Sequence, residues 1–274
     1  QISVKPLNLY NGIPTVDKNR NAYAVLILIL IVSAALRFYG ISWGTDPETG
    51  KFYDFFHPDE RTVVEGAGWV GVDIRRAVTA YAKGPAYLLW ALARGTGYLV
   101  GIEPFNRRDN RSVKFTHLVG RGISATLGVL TVWVVFAIGR HLVGIWTGVL
   151  SATFLGFCAG HIQQSHYYTV DVSFAFWITL GIYLILKLPS DRTRPYLVCG
   201  LACGMGAGTR LLGGMLGLAF LVAHLWPTGK GAGTGKVWEK VWRWVHPVVT
   251  PRALLCGATV VAVAVICEPL LLRP

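Results

Sequence analysis

The run Gly84–Ile102, GPAYLLWALARGTGYLVGI, sets the topology of this chain, because it is nearly long enough to cross a bilayer yet carries Arg94, Gly95 and Gly97 in its middle. A helix of about 20 apolar residues spans the roughly 30 Å hydrocarbon core. Counting this run as a crossing, or not, inverts the side on which every later loop lies. Before it stands Ala22–Gly40, AYAVLILILIVSAALRFYG, with Arg37 as its one charge. After it come apolar runs at Leu118–Ile138, Leu142–Gly160, Val172–Leu186, Tyr196–Trp226 and Ala253–Leu272, and hydrophobic residues make up 53% of the chain. The expected fold class is an all-α polytopic membrane protein, read as one membrane domain over residues 1–274. The first run, preceded by Lys5, Lys18 and Arg20 and lacking a small-residue cleavage site, reads as an uncleaved signal anchor.

Lysine and arginine in short loops collect on the cytoplasmic side. If residues 84–102 lie along the interface, that side receives the N-terminal basic residues, Arg140 and His141, the stretch Lys187–Arg194, and a basic loop over residues 227–252 with Lys230, Lys236, Lys240, Arg243 and Arg252. The exceptions are Arg107, Arg108, Arg111 and Lys114, which fall outside with Glu103 and Asp109. If the run crosses, the 227–252 loop is external and the rule fails repeatedly. The expectation is therefore about seven transmembrane helices plus an interfacial helix at about 84–102, inside a first external loop covering 41–117. The 30-odd apolar residues from Tyr196 are too many for one span, and the glycines around Arg210 predict two helices meeting at a break.

The formal charge of +12 is spread over membrane ends and is not a nucleic-acid footprint. Cys158, Cys199, Cys203, Cys256 and Cys267 lie in or beside apolar runs without a metal-ligand spacing and read as packing residues. The segment Gly229–Lys236 imitates a phosphate-binding loop, but Lys230 and Val237 break the pattern and no strand precedes it.

With these assignments Asp59 and Glu60, Asp171, Arg210 and Glu268 all reach the external face. Adjacent carboxylates suit a general base with an electrostatic or metal-binding partner, and a solvated loop pair is the plainer alternative. Asp171, at the start of an apolar span, serves either as a helix cap or as a ligand for a hydroxyl or metal. Arg210, at a glycine-rich break at membrane depth, has the planar fork that suits a phosphate, or else snorkels to the interface. His57 and His166 are further candidates beside the acids for a metal site.

LRFYGISWG at residues 36–44, FHPDE at 56–60 and KGPAYLLWALA at 83–93 open an ordered series of motifs. It continues through residues 120–155, SHYYTVD at 165–171 and GLACGMGAGTRLLGGMLGL at 200–218. In this order they resemble the GT-C superfamily of integral-membrane glycosyltransferases, in the branch of the protein O-mannosyltransferases and the lipid A aminoarabinose transferases. The resemblance implies a sugar donor on a polyprenyl phosphate, bound at the external or lumenal face of a multi-pass protein, with a bacterial cytoplasmic membrane favoured over the endoplasmic reticulum. It implies Asp59 as the base on an acceptor hydroxyl, with Glu60 beside it, Asp171 as acceptor-site or metal support, and Arg210 on the lipid phosphate. Lys83 and Glu268 join as further site candidates, and a divalent metal on Asp59 and Asp171 is left open. Members of the superfamily usually have several more spans, so the motifs cover the N-terminal seven-span core. Two other classes are weighed against an enzyme. One is a noncatalytic GT-C-like subunit packed against other membrane proteins. The other is a transporter, which would show an internal repeat and acids at mid-membrane.

Overall fold

In the first helix, α1 (Thr15–Phe38), the apolar residues from Ala22 to Leu36 fall on every side, as they do in a lipid-embedded segment. The computed structural model describes residues 15–46, 48–52, 57–73, 81–188, 192–225 and 250–268. Two short helices, α2 (Pro58–Trp69) and α3 (Gly84–Val100), follow in the segment before α4 (Asn110–Leu142). Then come α5 (Ile145–Gly156), α6 (Ala159–Gln164), α7 (Val170–Leu186), α8 (Thr193–Ala207), a 3₁₀ turn (Leu211–Met215), α9 (Leu216–Leu225) and α10 (Pro251–Cys267). Among the described residues extended pairing is limited to one isolated bridge, Thr45 with Phe52. Within α1 and α4, the stretches Asn19–Phe38 and Asn110–Leu142 are long and apolar enough to cross a membrane. At 33 residues α4 is about 50 Å long, roughly 20 Å more than a hydrocarbon core.

Close packing of helices without side chains between them holds the bundle. A Cβ on Gly148 of α5 would meet the Phe136 carbonyl of α4 at 2.5 Å, so only glycine permits that crossing. Gly200, Gly204 and Gly208 repeat every fourth residue along one face of α8 and its end. Cβ atoms there would meet α10 at the Cys256 carbonyl (2.7 Å), Val263 Cβ (2.7 Å) and Cys267 Cβ (2.6 Å). Lipid tails are as apolar as leucine, so such small-residue seams gain their stability from dispersion and close approach. Ala22, Leu26, Ile29, Val132, Phe136, Val149 and Ala152 tie α1, α4 and α5 together. Ile185, Tyr196, Cys199, Cys203, Phe220 and Cys256 do the same for α7 to α10. Four cysteines are buried packing residues and Cys158 is exposed; all five are free.

The expected break around Arg210 is present: α8 stops at Ala207 and the chain re-enters helix only after an extended Arg210 (φ −142°, ψ 136°). Within the run 84–102, Ala86, Leu89 and Ala93 are buried and face Val63, Ala67, Tyr168 and Val170, and the buried Gly97 lies against Ile102 and Pro104. The other face exposes Leu92, Tyr98, Leu99 and Val100. Arg94 is exposed and reaches Glu103 at 3.1 Å. The run 142–160 is shorter as a helix than its hydropathy implies, since Leu142 ends α4, Gly144 turns the chain, and Arg37 caps α5 at Gly156. That side chain is wholly buried and donates to the Gly156 and Leu155 carbonyls at 3.1 and 3.3 Å, to Ser33 Oγ at 2.6 Å, and to His161 Nδ1 at 2.9 Å. It thereby satisfies carbonyls that a helix C-terminus leaves without partners. The basic loop lies outside the described residues except for its last three positions, where Thr250 caps α10.

Candidate active site

The helix ends that meet at one end of the bundle are the finish of α1, α8 and α10 and the start of α2, α3 and α7. At the start of α2, Pro58 fixes the first helical φ and His57 caps the helix through Nδ1, which accepts from the Asp59 amide at 3.3 Å. The His57 ring packs on Tyr167, centroids 5.0 Å apart. Asp59 is half-buried in that first turn, where the helix dipole favours a carboxylate.

The neighbouring acid has a different setting. A helix rotates by roughly 100° per residue, so Glu60 points away from Asp59 into the protein. It is wholly buried, and its two oxygens accept from Arg121 Nε at 2.8 Å and Nη2 at 3.0 Å in a bidentate pair. The Tyr168 amide donates to the same carboxylate at 3.1 Å. Arg121 also donates to the carbonyls of Ile41 and Trp43, and its guanidinium lies 5.1 Å from the centroid of the Trp43 ring. Glu60, expected beside Asp59 in the chemistry, is instead turned to Arg121 and the Tyr168 amide, and its three hydrogen bonds hold α2 on α4 and on the start of α7.

Asp171 sits in the first turn of α7 behind a Thr169 cap, and Arg210 Nη2 reaches its Oδ1 at 2.6 Å with both side chains about a third exposed. The Arg210 guanidinium lies 5.1 Å from the Tyr81 ring centroid and 5.8 Å from that of Phe174, and its Nε is buried without a partner among the described residues. Tyr81 joins the two halves. Burial, followed by its hydrogen bond to Asp59, pushes the Tyr81 hydroxyl above its ordinary range, and the charges of Asp59, Arg210 and Asp171 all act on it. A phenol held protonated in this way donates to the Asp59 carboxylate and fixes its orientation.

Lys83 and Glu268, distant in sequence, form an ion pair at 2.8 Å with Lys83 almost wholly buried. The backbone beside them is stitched to the bundle: the Lys83 amide donates to the Cys267 carbonyl and the Gly84 amide to the Gly208 carbonyl, both at 2.9 Å. A Cβ at Gly84 would stand 2.5 Å from that Gly208 oxygen. His166 is drawn elsewhere, with Nδ1 at 2.9 Å from the Ile162 carbonyl and Nε2 at 3.0 Å from the Tyr39 carbonyl, so each ring nitrogen faces a backbone oxygen rather than the acids. Among the described residues no three histidine, cysteine or acidic side chains gather as a metal site. Asp59, Tyr81, Asp171 and Arg210 thus form one cluster, Lys83 and Glu268 a second beside the same helix ends, and Glu60 and His166 belong to the frame.

Sequence reasoning passed over Tyr81, whose signal is only its place two residues before the KGP motif. It also passed over Arg121, although an arginine inside the run 118–138 is a signal in itself, since ionisable residues at membrane depth are rare and paired.

The family model for dolichyl-phosphate-mannose-protein mannosyltransferase matches residues 92–265, well over half of the sequence. The chain belongs to this mannosyltransferase family. Arg121, Asp171 and Arg210 fall inside the matched residues and Asp59, Tyr81 and Lys83 before them. Among solved structures, the chain is similar to one from the S. cerevisiae protein O-mannosyltransferase Pmt1–Pmt2 complex bound to the sugar donor, with a TM-score of 0.64 at 15% identity. The match covers 92% of this chain and 34% of that one, so this chain spans about a third of its length. At that identity the likeness is one of fold, the GT-C architecture, and it is the family match that makes the chain an integral membrane protein. No curated protein sequence matches the chain.

Proposed function

We propose that this chain carries the catalytic core of a glycosyltransferase that moves a sugar from a polyprenyl-phosphate donor to an acceptor hydroxyl at the external or lumenal membrane face. Tyr81 carries this reading, because it hydrogen-bonds Asp59 while lying under Arg210, so that a base and a phosphate-binding cation share one small space. Asp59 accepts the proton of the acceptor hydroxyl as its oxygen bonds to the anomeric carbon. The bond from that carbon to the phosphate oxygen breaks, and single displacement inverts the centre. Arg210, whose guanidinium is about a third exposed beside its contact with Asp171, receives the charge gathering on the departing lipid phosphate, and Lys83 adds a second cation nearby. Asp171 holds the guanidinium in place until the donor arrives. The S. cerevisiae complex was solved with a sugar donor, which agrees with a donor site in this fold.

A noncatalytic membrane subunit is the second reading, favoured by the closure of both cations on carboxylates, Arg210 on Asp171 and Lys83 on Glu268. Transfer of a radiolabelled sugar from its polyprenyl phosphate, measured in membranes holding the full-length protein, separates the two. Asp59→Asn should lower the rate about 100-fold or more, the scale of a lost general base, with the thermal midpoint unchanged. An unaltered rate in Asp59→Asn sinks the catalytic reading.

A further inference from the structure

The four basic residues that defy the charge rule, Arg107, Arg108, Arg111 and Lys114, have no part in the cluster around Asp59. Two of them line a cleft of about 770 Å³ between α2 and the segment leading into α4, walled by Arg61, Glu65, Trp69, Phe105, Arg107 and Arg108 and floored by His117. It lies on the far side of α2: Arg61, Val64, Glu65 and Gly68 project roughly opposite to Asp59 around the helix. Among the described residues of its lining, three arginines stand with one acid. Arg61 Nε and Arg107 Nη2 both reach Glu65 Oε1, at 2.8 and 3.0 Å, so one carboxylate is shared by two guanidinium groups and the described lining is net positive.

The walls are built. Phe105 holds a left-handed φ of 67°, uncommon for a residue with a Cβ, and its ring packs against Gly68. Its amide donates to Thr116 Oγ1 at 3.2 Å, the Asn106 amide to Ser112 Oγ at 2.9 Å, and Ser112 Oγ to the Glu103 carbonyl at 2.6 Å. The floor holds an unanswered polar atom. His117 is only 3% exposed, and its Nε2 has no partner among the described residues. Its Nδ1, 3.0 Å from the Val113 carbonyl, donates there, which leaves Nε2 as an acceptor awaiting a hydroxyl.

Depth favours a lipid. The first turns of α4 stand beyond the apolar run that begins at Leu118, at the level of the headgroups. Beside the cleft mouth Val72 is 72% exposed, and at the neighbouring end of α3 Tyr98 and Leu99 are 89% and 80% exposed, an apolar border suited to acyl chains. We propose that this cleft binds an anionic phosphodiester lipid whose headgroup carries free hydroxyls, the phosphate on Arg107 and Arg108 and a hydroxyl on His117 Nε2. The proposal is independent of sugar transfer.

Native mass spectrometry of the detergent-solubilised full chain tests it with four probes: phosphatidylglycerol, phosphatidylmethanol, phosphatidylcholine and soluble glycerol phosphate. Phosphatidylglycerol should be retained at least tenfold over phosphatidylcholine and severalfold over phosphatidylmethanol, which keeps the phosphodiester but lacks headgroup hydroxyls. Arg107→Ala with Arg108→Ala should abolish the preference, whereas Arg111→Ala with Lys114→Ala, an equal loss of charge outside the cleft, should keep it. Equal loss in both double variants overturns the site in favour of diffuse charge. Equal retention of phosphatidylglycerol and phosphatidylmethanol overturns the hydroxyl assignment, and displacement by millimolar glycerol phosphate overturns the lipid.

Discussion

At the scale of the residue, adjacent acids do unlike work because one helical step turns Glu60 inward and leaves Asp59 at the surface of the cluster. Removing one member of a buried ion pair strands the other charge, at a cost of about 3–5 kcal/mol. Glu60→Gln should therefore lower the thermal midpoint strongly, while Glu60→Gln combined with Arg121→Met should be more stable than Glu60→Gln alone; a double variant less stable than the single one would contradict the pairing. His161 gives a pH signature. Burial, and secondarily the charge of Arg37, hold its pKa down to about 4 from 6.5, so the folded protein keeps a neutral imidazole that accepts from Arg37. Between these values the unfolded chain binds the extra proton, so stability is complete above about pH 6.5 and declines as pH falls toward 4. Thermal midpoints at pH 7 and pH 5 should differ more in the parent than in His161→Asn, and equal differences would remove His161 as the cause.

At the scale of the element, glycine positions divide by what their missing Cβ would strike. Gly204→Ala would drive a methyl into Val263 at 2.7 Å and should destabilise the protein by about 1–3 kcal/mol, the usual range for overpacking. Gly257→Ala, on α10 with open space around it, should be neutral or slightly stabilising, since alanine is the better helix former. A thermal melt of the two variants distinguishes a seam from a mere composition of glycines. The all-helical class and the break at Arg210 were legible in the sequence, since long apolar runs read as helices and glycine marks a helix interruption, but the count was not: ten helices stand among the described residues where about eight were expected. The end of α5 was not legible either, because it depends on Arg37 arriving from α1, a contact between positions more than 100 residues apart. The meeting of Asp171 with Arg210 was legible only as a shared face. That Glu60 belongs to Arg121 follows from three-dimensional rotation of α2, which no motif encodes.

At the scale of the whole molecule, the segment 81–84 is where the parts before α4 touch the last described helix. Glu268→Ala would leave Lys83 buried with an unanswered charge, and about 2 kcal/mol of stability should be lost, less than for a fully buried pair because Glu268 is partly exposed. A melt showing no change would mean that Lys83 finds another partner. The backbone bonds from Lys83 to Cys267 and from Gly84 to Gly208 carry a temporal meaning as well. A ribosome delivers α1 to α7 before α8 and α10 exist, so the nascent chain already holds Asp59 and Asp171 while Arg210 and the docking carbonyls are still unsynthesised. Tyr81 cannot settle under Arg210 until the stretch that follows α8 has been made, and the Lys83 bond to Cys267 waits for α10. Assembly of the cluster is thus deferred to a late step in the biogenesis of this region, and a chain halted before Arg210 holds Asp59 and Asp171 without the cation between them.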